Sequence, residues 1–465
     1  MALANLPQLD GAVLVDDTAR REYSVDIARN LERMPLAVVR PVTAEDVVKT
    51  LQYANRQGLK VAIRGQGHSR YGQTLADGGI VLDTSTLDRV TLPNTTCVDA
   101  QAGAFWGEVS GTTLAQGLTP PAMGTCPKLS VGGILSAGGF SNSSHVYGAI
   151  ADTVEELDVV TGVGRFVTCS QQNNRELFQM VLAGMGQCAV IIRARIRLIP
   201  APATVVRQDL YYDDLDSFLA DGAHLVMEQG VSAQNFQHLT SRATQRADGR
   251  WIFSINVGKF YGRNETPEWV LVPPEMAGQY RLNFQNKSEP VRASFWDYLQ
   301  REAAKNAADS LSRERNPRRE PSLTMFIPLS ATKSFVSEIL ARPAELAGLR
   351  DFQLNPFHVR MIQCPLFKFP EEEVAYGVWL YPRNTPIADN AAYHAVMEIN
   401  RLILDRMRAI GGKSYPPYAP YFSQAEWEQH YGPECWRRLS SAKREYDPNQ
   451  LLTPAMRMFD GRSGG

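Results

Sequence analysis

Arg64-Gly65-Gln66-Gly67-His68-Ser69-Arg70-Tyr71-Gly72-Gln73 follows directly on the short apolar strand Lys60–Arg64, and the reading of the fold turns on this stretch. Glycines just after a strand let successive backbone N–H groups converge on a phosphate without any side-chain charge. A histidine held inside such a loop lies beside whatever the loop binds; an ordinary glycine-rich turn with an incidental histidine is the competing reading. Upstream, Leu36–Val39 is an apolar run ended by Pro41, and Thr43 caps a helix through about Gln57. Val47, Val48, Leu51 and Ala54 give that helix one apolar face, and Gly58 supplies its stop. Downstream, Gly79–Leu82 reads as the next strand, closed by Asp83. The glycines of this β-α-β start follow its second strand rather than opening a long helix, so the spacing does not fit a dinucleotide-binding Rossmann fingerprint.

A second glycine cluster, Ser130-Val131-Gly132-Gly133-Ile134-Leu135-Ser136-Ala137-Gly138-Gly139-Phe140, has four glycines in eight residues. Such a run packs backbone closely against a flat ligand or another segment. Strand-like runs follow at Val154–Val160, Phe166–Thr168 and Cys188–Pro200, the last with Arg193, Arg195 and Arg197 alternating on what reads as a solvated face. Pro200-Ala201-Pro202 punctuates the chain and is taken as a domain boundary. Beyond it, strand-like stretches (Val206–Tyr212, Trp251–Val257, Leu323–Pro328, Val374–Leu380) alternate with helical ones (Asp216–Glu228, Arg292–Lys305, Lys333–Leu340, Ala391–Ala409). This is the pattern of an α+β domain on a mostly antiparallel sheet. The mixed-charge run Arg313–Glu320 reads as a solvated connection, with a gate over a pocket as the minority reading.

At 465 residues the chain favours two domains over one. Hydrophobic residues at 44% and charged ones at 21% exclude a disordered, collagenous or disulfide-stapled protein. Lys plus Arg number 48 against 49 for Asp plus Glu, a net charge of -1, which offers no footprint for nucleic acid or an anionic membrane. The expected partner is a small, largely uncharged molecule. No apolar run approaches the roughly 18 residues of a membrane span. Pro7, Asp10 and the acidic pair Asp16-Asp17 break the N-terminal segment before a signal peptide can form. Cys97, Cys126, Cys169, Cys188, Cys364 and Cys435 are scattered without a CxxC pair, so neither a metal site nor a disulfide framework is expected. A cytoplasmic location is the corresponding expectation.

Read in order, RGxGHSxxGQ (64–73), VGGxLSxGG (131–139), ELDVVTG (156–162), ELF (176–178) and GxGQ (184–187) resemble the FAD-linked oxidases of the vanillyl-alcohol-oxidase superfamily. Within it the chain is most similar to cytokinin dehydrogenases and secondarily to the berberine bridge enzyme group. Pro365-Leu366-Phe367, Pro370–Val374, Lys413-Ser414-Tyr415, Trp427 with His430-Tyr431-Gly432, and Tyr446-Asp447-Pro448 to Leu452-Thr453-Pro454 carry the resemblance to the end of the chain. It implies a two-domain α+β fold of the FAD-binding PCMH type. Residues 1–200 plus 421–465 would hold FAD, and 201–420 would form the inserted substrate domain. The implied activity is that of an FAD-dependent oxidoreductase. A hydride would pass from a small organic substrate, at a C–O, C–N or C–C bond, to a covalently bound flavin, and electrons then to O2 or another acceptor. Cytokinin dehydrogenase proper, or a flavin-binding protein without turnover, are the alternatives.

The resemblance also implies roles. His68 matches the histidine that bonds the flavin 8α-methyl. Gly65, Gln66, Gly67 and Ser69 would cradle the pyrophosphate, with Arg64 and Gln73 in the same cofactor loop. Gly132, Gly133, Ser136 and Gly138 would line the flavin on the opposite side, and Ile191 would touch the adenine or the ring. Cys126 lies in a CPxxxVGG pattern shared with the berberine bridge group, where the cysteine makes a second bond, to flavin C6. Three departures set the chain apart: Thr125 where cytokinin dehydrogenases carry a proton-accepting Asp, no counterpart of their substrate-domain Glu around Ala233–Ser241, and Met456 in place of a closing glutamine. A threonine hydroxyl is no useful base near pH 7, so little turnover of isopentenyladenine is expected. Tyr415, Tyr418 and His358 are the catalytic candidates, whereas His145 and His238 read as structural.

Overall fold

The computed structural model describes residues 7–124, 126–227, 236–267, 282–381, 383–420 and 422–459. Thr125, and residues 233–235 of the Ala233–Ser241 segment, lie outside the described residues. Strands β1 (Ala12–Leu14), β2 (Ala37–Arg40), β3 (Val61–Arg64) and β4 (Ile80–Asp83) form a sheet in the order β1-β2-β4-β3, with β4 parallel to both of its neighbours. The crossover from β2 to β3 is helix α1 (Ala44–Gln57). Thr43 Oγ1 accepts from the Asp46 N–H, and the Asp46 carboxylate accepts from the Thr43 N–H. This reciprocal cap is worth about 1 kcal/mol. Gly58 ends the helix at φ 65°, and Val47, Leu51 and Ala54 pack into one core with Ile80 and Leu82.

A second, antiparallel sheet has the order β5-β6-β9-β7-β8, from β5 (Val90–Thr91), β6 (Cys97–Gln101), β7 (Val154–Thr161), β8 (Phe166–Ser170) and β9 (Ala189–Arg197). On β9 Arg197 is exposed as expected, but Arg193 and Arg195 correct the expectation of a solvated face. Arg193 donates to Asp158 (2.6 Å), Glu156 (2.6 Å) and Asp99 (2.9 Å), and Arg195 pairs with Asp99 (2.8 Å). Acidic residues on the two neighbouring strands stand opposite them, a cross-strand pairing that no local pattern announces.

Among the described residues the third sheet has nine strands, all pairs antiparallel. Its path is β13-β10-β12-β11-β16-β17-β15-β18, with β14 also on β10. The strands are β10 (Thr204–Tyr212), β11 (His238–Gln245), β12 (Trp251–Tyr261), β13 (Asn286–Lys287), β14 (Val291–Ser294), β15 (Leu323–Pro328), β16 (Asp351–His358), β17 (Val374–Tyr381) and β18 (Lys413–Ser414). Helices α3 (Leu215–Met227), α5 (Leu329–Leu340) and α6 (Asn390–Ala409) occur where the sequence places them. The expected Arg292–Lys305 helix is instead β14, a short helix Phe295–Gln300, and α4 (Ala303–Arg315). Ser294 caps the short helix through the Asp297 N–H, and β14 takes the free edge of β10.

After the sheet, α7 (Gln424–Tyr446) carries the chain back to the first sheet. The Val61 N–H donates to Leu451 O and the Thr453 N–H to Val61 O, both at 2.9 Å. Buried Lys443 clamps this return by donating to Gln187 O, Asp447 and Leu452 O. Among the described residues no helix is long and apolar enough to cross a membrane.

Candidate functional site

Where β3 ends, the chain turns through Gly65–Ser69 to form one wall of a cavity of about 970 Å³, part of it open to solvent. Among the described residues, no hydrogen bond ties the N–H groups of Gly65, Gln66, Gly67, His68 or Ser69 to protein. Five successive unclaimed donors are the backbone cradle that a pyrophosphate requires. Gly67 has φ 61°, and a Cβ there would fall 2.7 Å from Arg64 Cζ. Arg64 lies beneath the loop, donating to Val25 O (2.8 Å) and resting 5.2 Å from the Tyr23 ring centroid, so it supports the cavity without lining it.

The opposite wall is helix α2 (Val131–Ala137) with the residues leading into it. Gly132, Gly133 and Ser136 line the cavity there. A Cβ at Gly65 would lie 2.2 Å from Ser130 Oγ, and one at Gly133 2.8 Å from the same atom, so both walls need glycine to approach each other. Gly138 lies off the lining; its missing Cβ leaves room for Phe367, whose Cγ would be 2.9 Å away. Ile191 and Ile63 line the cavity with Met185, Gly186 and Thr453, whose Oγ1 donates to Gly186 O at 3.0 Å.

A third wall comes from the turn after β18, where Tyr415 and Tyr418 stack at 5.6 Å with 22° between ring planes. The glycine loop reaches across to this turn: the Arg70 N–H donates to Pro417 O and Gln73 Nε2 to Pro416 O, each at 3.1 Å. Tyr71 Oη donates to Ser322 O at 2.8 Å, anchoring the same loop to β15. Phe140 packs 5.2 Å from Tyr415 and 5.1 Å from Trp379, extending an aromatic face behind the two tyrosines.

Among the described residues, no Lys, Arg, Asp or Glu lines the cavity. His68 is pushed down to about 3, by burial first and then by the Arg70 and Arg313 charges, so its imidazole is neutral and keeps a free nitrogen lone pair at pH 7. Burial holds the Tyr415 phenol well above its ordinary range. Just behind Tyr418 stands a charged cluster that the sequence reading took for a solvated connection. Glu320 is 0% exposed and accepts from Arg70 (2.9 Å), Arg313 (3.0 Å) and Arg318 (3.1 Å). Arg70 in turn lies 5.3 Å from the Tyr418 ring centroid.

Twelve of the sixteen sequence-predicted residues therefore meet at one cavity, His68, Gln73, Tyr415 and Tyr418 among them. Cys126 is half-buried and off the lining, although Leu129, whose N–H donates to Cys126 O at 3.2 Å, is on it. Burial pushes the Cys126 thiol up, against the opposing pull of the Lys128 and Leu129 N–H groups. His358 ends β16 off the cavity, and the charges acting on it are Glu373 and Arg360. Thr453 and Gly186 were missed as lining residues although they sit inside quoted motifs. Arg70 and Glu320 were missed because 250 residues separate them.

FAD suits these residues: a donor-rich backbone loop for its phosphates, glycine walls for a flat ring, and a neutral histidine between them. Comparisons with known proteins agree. Residues 35–170 match a family of FAD binding domains, and residues 218–459 match the FAD and cytokinin binding region of cytokinin dehydrogenase 1. An oxidoreductase of the fasciation locus of Rhodococcoides fascians is 30% identical over 97% of this chain and 100% of its own length. Cytokinin dehydrogenase 4 of Oryza sativa is 28% identical over 97% of this chain and 90% of that protein. In fold, the chain resembles 6-hydroxy-D-nicotine oxidase of Arthrobacter nicotinovorans with a TM-score of 0.71 at 20% identity, covering 97% of this chain and 98% of that one.

Proposed function

Because the chain belongs to the cytokinin dehydrogenase family of FAD-dependent oxidoreductases, we propose that it oxidises a small, flat, largely uncharged molecule in the cavity between His68 and Tyr418, with its FAD held covalently. The observation that carries this reading is a cavity with unclaimed backbone donors on one side, stacked tyrosines on another and, among the described residues, no charged lining residue. Bound FAD supplies the hydride acceptor, and O2 or another acceptor takes the electrons onward. His68 offers a neutral nitrogen for the 8α bond, and Cys126 a second, C6 tether once its thiol is deprotonated. Tyr418 takes the substrate proton at its Oη, passing from phenolate to neutral phenol, with the Arg70 guanidinium 5.3 Å from its ring centroid as a fixed positive charge beside it. Tyr415, kept protonated by burial, orients the substrate and gives Tyr418 a stacking surface. The lining's neutrality excludes strongly charged substrates, since a buried charge without a partner is costly.

In this reading residues 1–200 and 421–465 form the cofactor domain and 201–420 the substrate domain, with the cavity between them. The support is that Gly65–Ser69 and Thr453 contribute from one and Tyr415 and Tyr418 from the other. Cytokinin dehydrogenase proper is a second reading, supported by relatives of that name. Acid precipitation tests the tethers. The wild-type pellet should stay yellow, the Cys126→Ala pellet should stay yellow through His68, and the His68→Ala pellet should keep colour only through Cys126. If His68→Ala alone releases all flavin, there is a single tether. Anaerobic bleaching of the flavin by isopentenyladenine at rates comparable to its best substrate would favour the second reading.

A further inference from the structure

Helix α7 is interrupted at Gly432, whose φ 75° and ψ 162° are not helical, so its second half starts afresh at Pro433. Cys435 occupies the first turn of this second half, half-buried. Across from it, on the segment that follows β16, the Lys368 amine donates to Cys435 Sγ at 3.6 Å. Both side chains are partly open to solvent, so a small oxidant can reach the sulfur. The 3.6 Å contact places a nucleophilic nitrogen directly against the sulfur, the approach that an S–N bond requires. Each thiol donates to a backbone carbonyl, Cys435 to Pro365 O at 3.6 Å and Cys364 to Leu182 O at 3.5 Å, but Cys364 is a poor competitor because burial holds its thiol up to about 12.

We propose that Cys435 and Lys368 form an oxidant-driven covalent cross-link, with hydrogen peroxide as the oxidant. The Cys435 sulfur attacks one peroxide oxygen, breaking the O–O bond and leaving a sulfenic acid and one water. The Lys368 nitrogen then displaces the hydroxyl from sulfur, forming an S–N bond and releasing a second water. The thiol is oxidised by two electrons and the peroxide is reduced to two waters. The product ties α7 to the 365–370 segment, whose Phe367 ring lies 5.7 Å from Tyr415. A peroxide signal at this pair is thereby joined to the wall of the cavity.

The test is peptide mass spectrometry of the full-length flavoprotein after exposure to hydrogen peroxide. The expected product joins the Lys368 and Cys435 peptides with a loss of two hydrogens, removes one titratable thiol per chain, and reverts with dithiothreitol. It should vanish in Cys435→Ser and in Lys368→Arg, which keeps the charge but lacks a primary amine, and persist in Cys364→Ser. Flavin colour reports that each variant is folded. A cross-link that survives Lys368→Arg would mean a Cys364–Cys435 disulfide and overturn the proposal. So would sulfinic or sulfonic Cys435 without a cross-link, or an unmodified Cys435.

Discussion

Replacing Glu320 by Gln removes the one negative charge among three guanidinium groups. The carboxylate is 0% exposed, and the side chains of Arg70, Arg313 and Arg318 are 6%, 16% and 11% exposed. With glutamine the shape is kept, but three largely desolvated cations face one another without a counter-charge. Breaking a buried pair in this way typically costs about 3–5 kcal/mol, because the surviving charge has neither water nor partner. Urea unfolding followed by tryptophan fluorescence should register a loss of that size. Turnover should fall as well, since Arg70 would no longer be held at the face of Tyr418. The control is Asp216→Asn, which breaks the Lys333–Asp216 pair at 2.8 Å with side chains 62% and 64% exposed. That pair should be worth about 0–1 kcal/mol. If Glu320→Gln unfolds within about 1 kcal/mol of the parent, like the control, the argument that this carboxylate holds the cluster together is wrong.

Tyr418→Phe should lower kcat by about a hundred- to ten-thousand-fold, the usual loss for a general base, with flavin content unchanged; Tyr415→Phe should act mainly on KM, and equal kcat losses in the two would refute the division of roles. Gly65→Ala places a methyl 2.2 Å from Ser130 Oγ, so FAD content per chain, read as the ratio of flavin to protein absorbance, should drop sharply, and full occupancy would show that the two walls can part. Stability should fall as the pH drops from about 6.5 towards 4. His145 is pushed down to about 4, and His238 and His430 well below their ordinary range, all by burial. Each stays neutral in the fold while the unfolded chain takes up a proton, costing about 1.4 kcal/mol per pH unit per histidine. Asp26, raised to about 6 by burial, acts in the opposite sense, since the folded state gains its proton first. A stability that rises steadily from pH 6.5 to pH 4 would contradict the histidine account.

What was legible in the sequence was what is decided locally. Thr43, Asp46 and Gly58 fix both ends of α1 within one segment, and the glycine loop announces itself by composition. Strands β11 and β16 gave weaker signals. Residues 238–245 alternate around polar Thr240, Arg242 and Thr244, and become a strand because β12 and β16 flank them. Pro356 argues against a strand at 351–358, since it has no N–H to donate. The structure accommodates it because β11 pairs with β16 only at Phe352 and Gln353, leaving Pro356 paired on one side alone. Among the site residues, His68, the glycines and the two tyrosines lie within motifs. The Glu320 cluster depends on a contact between residues 70 and 320, and a run of charges looks the same in sequence whether it meets water or a partner from another part of the chain.

The hydrogen bonds joining Val61 to Leu451 and Thr453 have a bearing on how the protein is made. Nearly four hundred residues must be synthesised after β3 before the strand finds its last partner. Thr453, a lining residue of the cavity proposed to hold the cofactor, arrives in that same stretch. Contacts so distant along the chain close slowly, because the loop entropy is spent before they form. The cavity is therefore completed only once residues 451–453 have been made and have docked on β3, and a finished place for the flavin comes no earlier. A nascent chain arrested before residue 451 would carry His68 and the whole glycine loop and still lack a finished place for the cofactor.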